Sequence, residues 1–119
     1  MVQIFPNDDH DTIVRKFADM VRKNNPDLFR VVTNLPGDEA VEIAGTAPDI
    51  LLLNPEDSAP RVAIEVETAA TVSQSRAEQR WLPIAGAVPK FQVVLPKGTV
   101  NRAKRYCKRL GIKAAFHEI

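Results

Sequence analysis

"PDILLLNPEDSAPRVAIEVET", residues 48–68, decides the fold. Apolar runs flank "NPEDSAP" (54–60), whose prolines, Asn54, Asp57 and Ser58 are turn residues. The pattern predicts a hairpin, with strands over 41–53 and 61–68. Alternating residues on a strand share a face, so Glu65 and Glu67 point the same way. With the turn centred near Asp57, pairing outward sets Leu53 opposite Arg61, Leu51 opposite Ala63, and Asp49 opposite Glu65. Directly opposed residues have Cβ atoms about 4.5–5.5 Å apart. Asp49, Glu65 and Glu67 therefore converge, provided the register holds, because a slip of one residue moves Asp49 to the other face. Carboxylates this close repel unless something relieves them. A hard divalent cation such as Mg²⁺ is one remedy. A shared proton, or a basic side chain such as Arg76, Arg80 or Lys90, is another. Acids on the wet face of a half-exposed strand would need neither.

Outward from the hairpin, "NDDHDTIVRKFADMVRKNNP" (7–26) places Ile13, Val14, Phe17, Met20 and Val21 at helical spacing. Asn7 or Asp8 can cap its start, and Asn24, Asn25 and Pro26 end it. His10 falls on the apolar stripe, as a half-buried, hydrogen-bonded histidine; a histidine facing the acids is the alternative. "LFRVVT" (28–33) is a strand, and Pro36-Gly37 marks the turn after it. Glycine and proline bend the second strand near Gly45 to Pro48. A helix follows near 72–82, with Thr71 and Gln74 at capping-box spacing, and Pro83 kinks or ends it. "KFQVVL" (90–95) is a strand, 99–110 a helix capped by Thr99 and stopped at Gly111, and 112–119 a last strand. The order α-β-β-β-α-β-α-β predicts an antiparallel meander, then parallel pairing through right-handed crossovers. The fold class is α/β: a mixed central β-sheet flanked by helices.

The 119 residues suit one domain, 1–119, and 45% apolar with 26% charged residues is ordinary for a globular chain. No run is long and apolar enough to span a bilayer, and the N-terminus has no signal-peptide pattern. The single Cys107 allows no internal disulfide, which suits a cytoplasmic setting. No P-loop, GxGxxG or GxSxG occurs, and His10 and His117 make no zinc pattern, so no organic cofactor is expected. The net charge of +1 hides a polarity: residues 1–89 hold 8 Lys and Arg against 14 Asp and Glu, and residues 90–119 hold 8 against 1. On the helix over 99–110, Val100, Ala103, Cys107 and Leu110 take one side, and Arg102, Lys104, Arg105, Lys108 and Arg109 much of the other. With Lys97 and Lys113 they form a basic surface suited to backbone phosphates, or simply a solvated helix face. Trp81 reads as core, with a dimer contact as the alternative.

Pro48-Asp49, then Glu65-Val66-Glu67 across a hairpin, then a polar helix, resembles the PD-(D/E)xK, or restriction-endonuclease-like, nuclease superfamily. The family core, αβββαβ, matches residues 8 to 95. The resemblance implies a small nuclease acting on DNA rather than RNA through metal-assisted phosphodiester hydrolysis. Asp49, Glu65 and the Val66 carbonyl would hold Mg²⁺ or Mn²⁺. Glu67 stands where the motif has lysine, a departure that leaves a second-metal or general-base role, or a catalytically inactive module for nucleic acid binding or protein assembly. No lysine lies between Lys23 and Lys90 to replace it. The helix after the motif offers Gln74 as a catalytic or phosphate contact, with Arg76 and Arg80 beside it on the nucleic acid. A homodimer would supply two sites for the two strands of a duplex.

Overall fold

The N-terminal amphipathic segment forms helix α1, His10–Asn24, in the computed structural model, which describes residues 3–5 and 7–119. Asp9, rather than Asn7 or Asp8, is the N-cap: its carboxylate accepts the Thr12 N–H at 2.8 Å. Ile13, Val14, Phe17 and Ala18 form its buried stripe, and Asn25 closes it.

Five strands form one sheet in chain order: β1 (Arg30–Thr33), β2 (Ile50–Leu53), β3 (Pro60–Val66), β4 (Lys90–Leu95) and β5 (Ala115–Glu118). β1, β2 and β3 pair antiparallel, whereas β3, β4 and β5 pair parallel, so the sheet is mixed as the element order requires. The second strand is much shorter than 41–53. Ala44 (φ 51°) and Gly45 (φ 76°) reverse the chain, Ile43 bridges Thr46, and Pro48 has no N–H to give a ladder. The hairpin register also needs one correction. Leu51 pairs with Ala63 as expected, but Leu53 pairs with Pro60 rather than Arg61, because a bulge follows Leu52. The bulge sits towards the turn, so the far end, with Ile50 opposite Ile64, keeps the register that brings Asp49 to Glu65.

Residues 74–85 form helix α2, in three consecutive turns: α-helical Gln74–Arg76, π-helical Ala77–Trp81 and α-helical Leu82–Ala85. Ser73, not Thr71, caps it through the Arg76 N–H at 3.1 Å, while the Thr71 hydroxyl accepts the Thr68 N–H at 2.8 Å in the preceding turn. Pro83 does not end the helix. A proline inside a helix removes one N–H and collides with the carbonyl four residues back. The wide turn ahead of it, closed by the Leu82 N–H on the Ala77 carbonyl, takes up that misfit. Helix α3, Val100–Leu110, ends at Gly111 in the left-handed region (φ 68°). Thr99 precedes it without capping it, because its hydroxyl donates to the Pro96 carbonyl at 2.7 Å.

Alternation divides the sheet cleanly. Leu51, Leu53, Ala63, Phe91, Val93 and Leu95 face α2 and α3, with Trp81, Ile84 and Ala103 above them. Ile50, Leu52, Val62, Ile64, Val66 and Val94 face α1. Trp81 is fully buried, so it is core and offers no dimer contact. Cys107 is buried too, which pushes its thiol up to about 11 and leaves it unreactive at neutral pH. Among the described residues, no helix is long and apolar enough to cross a membrane.

Leu51 is fully buried at the centre of the α2–α3 face. Truncation to alanine is expected to cost about 2–5 kcal/mol, read from the urea midpoint at constant m-value. A loss below about 1 kcal/mol would show that the helical layer does not press on this face.

Candidate functional site

The parallel strands β3, β4 and β5 all end at one edge of the sheet, where β2 begins. Ligands of open α/β sheets gather at such an edge. Asp49 lies just before β2, Glu65 near the end of β3, and Glu67 just past it, its N–H donating to the Val94 carbonyl at 2.8 Å. By alternation, both glutamates leave the sheet on the Ala63 side, towards α2. Asp49 joins them: its Oδ2 accepts the Val66 N–H at 2.8 Å, and its own N–H donates to Glu65 Oε1 at 3.3 Å. The three acids therefore converge as the hairpin register requires. Asp49 is 8% exposed and both glutamates are 0% exposed, so a wet strand face is ruled out.

Each buried carboxylate meets its own cation. Arg80 grips Glu65 with two bonds, Nε to Oε2 at 3.0 Å and Nη2 to Oε1 at 2.9 Å, and Nη2 also donates to the Ala47 carbonyl at 2.9 Å. Arg76 Nε reaches Glu67 Oε1 and Oε2 at 3.0 and 3.1 Å, and the buried Trp81 indole donates to Oε1 at 3.2 Å. His10, the first residue of α1, brings Nε2 within 3.1 Å of Asp49 Oδ1. That contact is one of charge, since Nε2 has no aligned hydrogen-bond acceptor. The other ring nitrogen, Nδ1, lies 2.9 Å from Asp11 Oδ1.

The π-helical turn makes this arrangement reachable. On an α-helix, residues five apart diverge in direction, whereas i→i+5 bonding brings them towards one face. Arg76 and Trp81 are five apart, and both bond Glu67 Oε1. The sequence reading gives Trp81 as core or a dimer contact and assigns its indole N–H no partner. The signal was an indole N–H that must find an acceptor wherever it is buried. His10 is the site-facing alternative of the sequence reading: the stripe of Ile13, Val14 and Phe17 carries it to the sheet edge.

Burial pushes Glu65 up to about 7, against the pull of the Arg80 guanidinium, with the Asp49 and Glu67 charges adding to the rise. Arg80 is itself raised by Glu65, so it stays charged. The Asp49 carboxylate raises His10 to about 9, against burial and with help from Asp11. Each of the three acids thus faces a basic side chain, and His10 is shared with a fourth carboxylate, Asp11.

This donor set does not fit a divalent metal. The oxygens of Glu65 and Glu67 accept from guanidinium groups, and Asp49 has the Val66 N–H on Oδ2 and His10 Nε2 3.1 Å from Oδ1. Among the described residues, no group of three or more His, Cys, Asp or Glu could hold a metal ion. Gln74 stands outside the carboxylate network: its amide donates to Glu78 at 3.2 Å and accepts from Arg109 at 2.6 Å. Arg102 leans on the Ala69 carbonyl at 3.3 Å, so α3 borders the loop that follows β3. Lys97, Arg105, Lys108 and Arg109 are exposed around it. A hollow of about 480 Å³ lies at the other end of the sheet, near Leu28, Asn54 and Arg61, away from this chemistry.

Both raised groups act on stability in the same direction. The Glu65 contribution is complete below its ordinary 4.5 and lost as pH rises through about 7. The His10 contribution is complete below 6.5 and lost as pH rises through about 9. Stability is therefore expected to fall between about pH 5 and pH 9, with Glu65→Gln flattening the lower part and His10→Gln the upper. Melting temperatures in a buffer series check this, and a rise across that range contradicts it. Arg80→Ala, which strands Glu65, is expected to cost about 3–5 kcal/mol at pH 7.

No protein-family model, curated protein or solved structure matches this chain.

Proposed function

We propose that this chain is a restriction-endonuclease-like module that binds the backbone of nucleic acid, DNA before RNA, at the carboxyl end of its sheet. The observation that carries the reading is the bidentate hold of Arg80 on Glu65, together with the Arg76 Nε shared between both oxygens of Glu67. The acids at the motif positions are compensated by the chain itself and call for no cation. The pairing, three antiparallel strands followed by parallel ones, supports the fold assignment, as does the motif's place at the hairpin end. The basic side of α3 borders the loop after β3 through Arg102 and the start of α2 through Arg109, which supports nucleic acid as the partner. Contacts of this kind read the phosphate backbone and carry no base code.

A second reading, a Mg²⁺- or Mn²⁺-dependent nuclease, is favoured by one observation. Asp49 and Glu65 share one edge, with Val66 bonded between them. It requires Arg80 to release Glu65, and a homodimer would serve it in cutting both strands of a duplex.

One experiment separates the two. Labelled DNA duplex and single-stranded RNA are titrated across salt, then incubated with Mg²⁺ and with Mn²⁺. The binding reading expects affinity falling steeply with salt, at about −0.9 in log–log slope per phosphate neutralised, and intact DNA after incubation. Cleavage that Asp49→Ala and Glu65→Ala abolish would establish the nuclease instead. No binding at low salt would overturn both.

A further inference from the structure

The arginines of the carboxylate network have a side that the network does not use. Arg76 spends only its Nε on Glu67, and Arg80 spends Nε and Nη2 on Glu65 and Ala47. Among the described residues, both Nη groups of Arg76 and Nη1 of Arg80 have no protein acceptor. The two side chains are 31% and 26% exposed, so these donors open to solvent while the carboxylates beneath are closed off. Arg76 and Arg80 bond Glu67 and Glu65, two apart on one face of β3 and its end, so the two guanidinium groups lie over the same face.

We infer that Arg76 and Arg80 form a clamp for one backbone phosphate of a nucleic acid, standing where the resemblance would put a metal. This rests on the nucleic acid reading above. A guanidinium offers a rigid fork of donors that matches phosphate oxygens, and it stays charged at any working pH. Two forks, each anchored at the base by a buried carboxylate, lose little freedom when a phosphate docks on their outer edges. Glu65 and Glu67 are then positioning residues, and they touch no substrate. Arg102, on the Ala69 carbonyl, adds a third cation at the loop between them and α3. The clamp works without metal.

The test is fluorescence anisotropy of a labelled DNA duplex across a salt series, with EDTA or with Mg²⁺, the two arms matched in ionic strength at each point. Wild type is expected to bind equally well in EDTA and in Mg²⁺. Arg76→Gln should weaken binding on the order of tenfold and lower the salt slope by about one. Arg76→Lys should keep the slope and recover part of the affinity, because it restores the charge but not the fork. Glu67→Gln, measured on folded protein, separates charge from positioning. Removing a negative charge alone tightens binding, whereas losing the anchor of Arg76 weakens it at unchanged slope, as the clamp requires. Arg105→Gln, on the exposed side of α3, is the reference. If it weakens binding while Arg76→Gln does not, the clamp is overturned and nucleic acid binding stands. If Mn²⁺ tightens binding and Glu65→Ala removes that gain, a metal holds the phosphate and the clamp is overturned. If wild type fails to bind at low salt, the clamp and the reading beneath it both fall.

Discussion

The pair between Glu65 and Arg80 is the constraint on which the sheet edge depends. A carboxylate taken out of water costs several kcal/mol unless a charged partner and hydrogen bonds compensate it, roughly the whole margin by which a small domain is stable. Glu65 is fully buried at the end of the central strand, so its charged form needs a cation beside it. Arg80 does so from α2, and its third bond, to the Ala47 carbonyl, ties down the segment that leads into β2. One side chain thus joins helix, strand end and loop.

The other two pairs follow from that placement. Once α2 lies across the end of β3, Arg76 and Trp81 are the groups above Glu67, and the wide turn lets both point at it. Asp49, drawn in by the hairpin, is left facing the first turn of α1, where His10 meets it. The edge that resembles a metal site is therefore a closed set of ion pairs. Its acids are inside and its guanidinium groups outside. Chemically that inverts the expectation: the groups exposed above the acids are cationic, and they adjoin the basic side of α3.

Much of this fold was legible in the chain. Periodicity located α1, α3, β3, β4 and β5, since each buries one face against a neighbour and that need is written residue by residue. The register of the hairpin was legible as well, because the turn and the alternation agree on Leu51 opposite Ala63 and so on Asp49 beside Glu65. The bulge after Leu52, the cap at Ser73 and the early fold-back at Ala44-Gly45 were not. Each is a choice between nearly equal local geometries. Neighbouring turns settle it, as when the Thr71 hydroxyl is drawn to Thr68 and leaves the helix cap to Ser73.

The sequence by itself pointed three carboxylates to one edge of a mixed sheet, through strand alternation and a single turn, on the condition that the hairpin register held. It also narrowed the remedy for their repulsion to a metal, a proton or a basic side chain, with Arg76 and Arg80 among the candidates. Only the tertiary structure decided between them. Which cation meets which acid depends on the phase of α2, and that phase is set by a wide turn ahead of Pro83. No one-residue pattern encodes that turn, because it exists only where packing against the sheet makes it cheaper than a break.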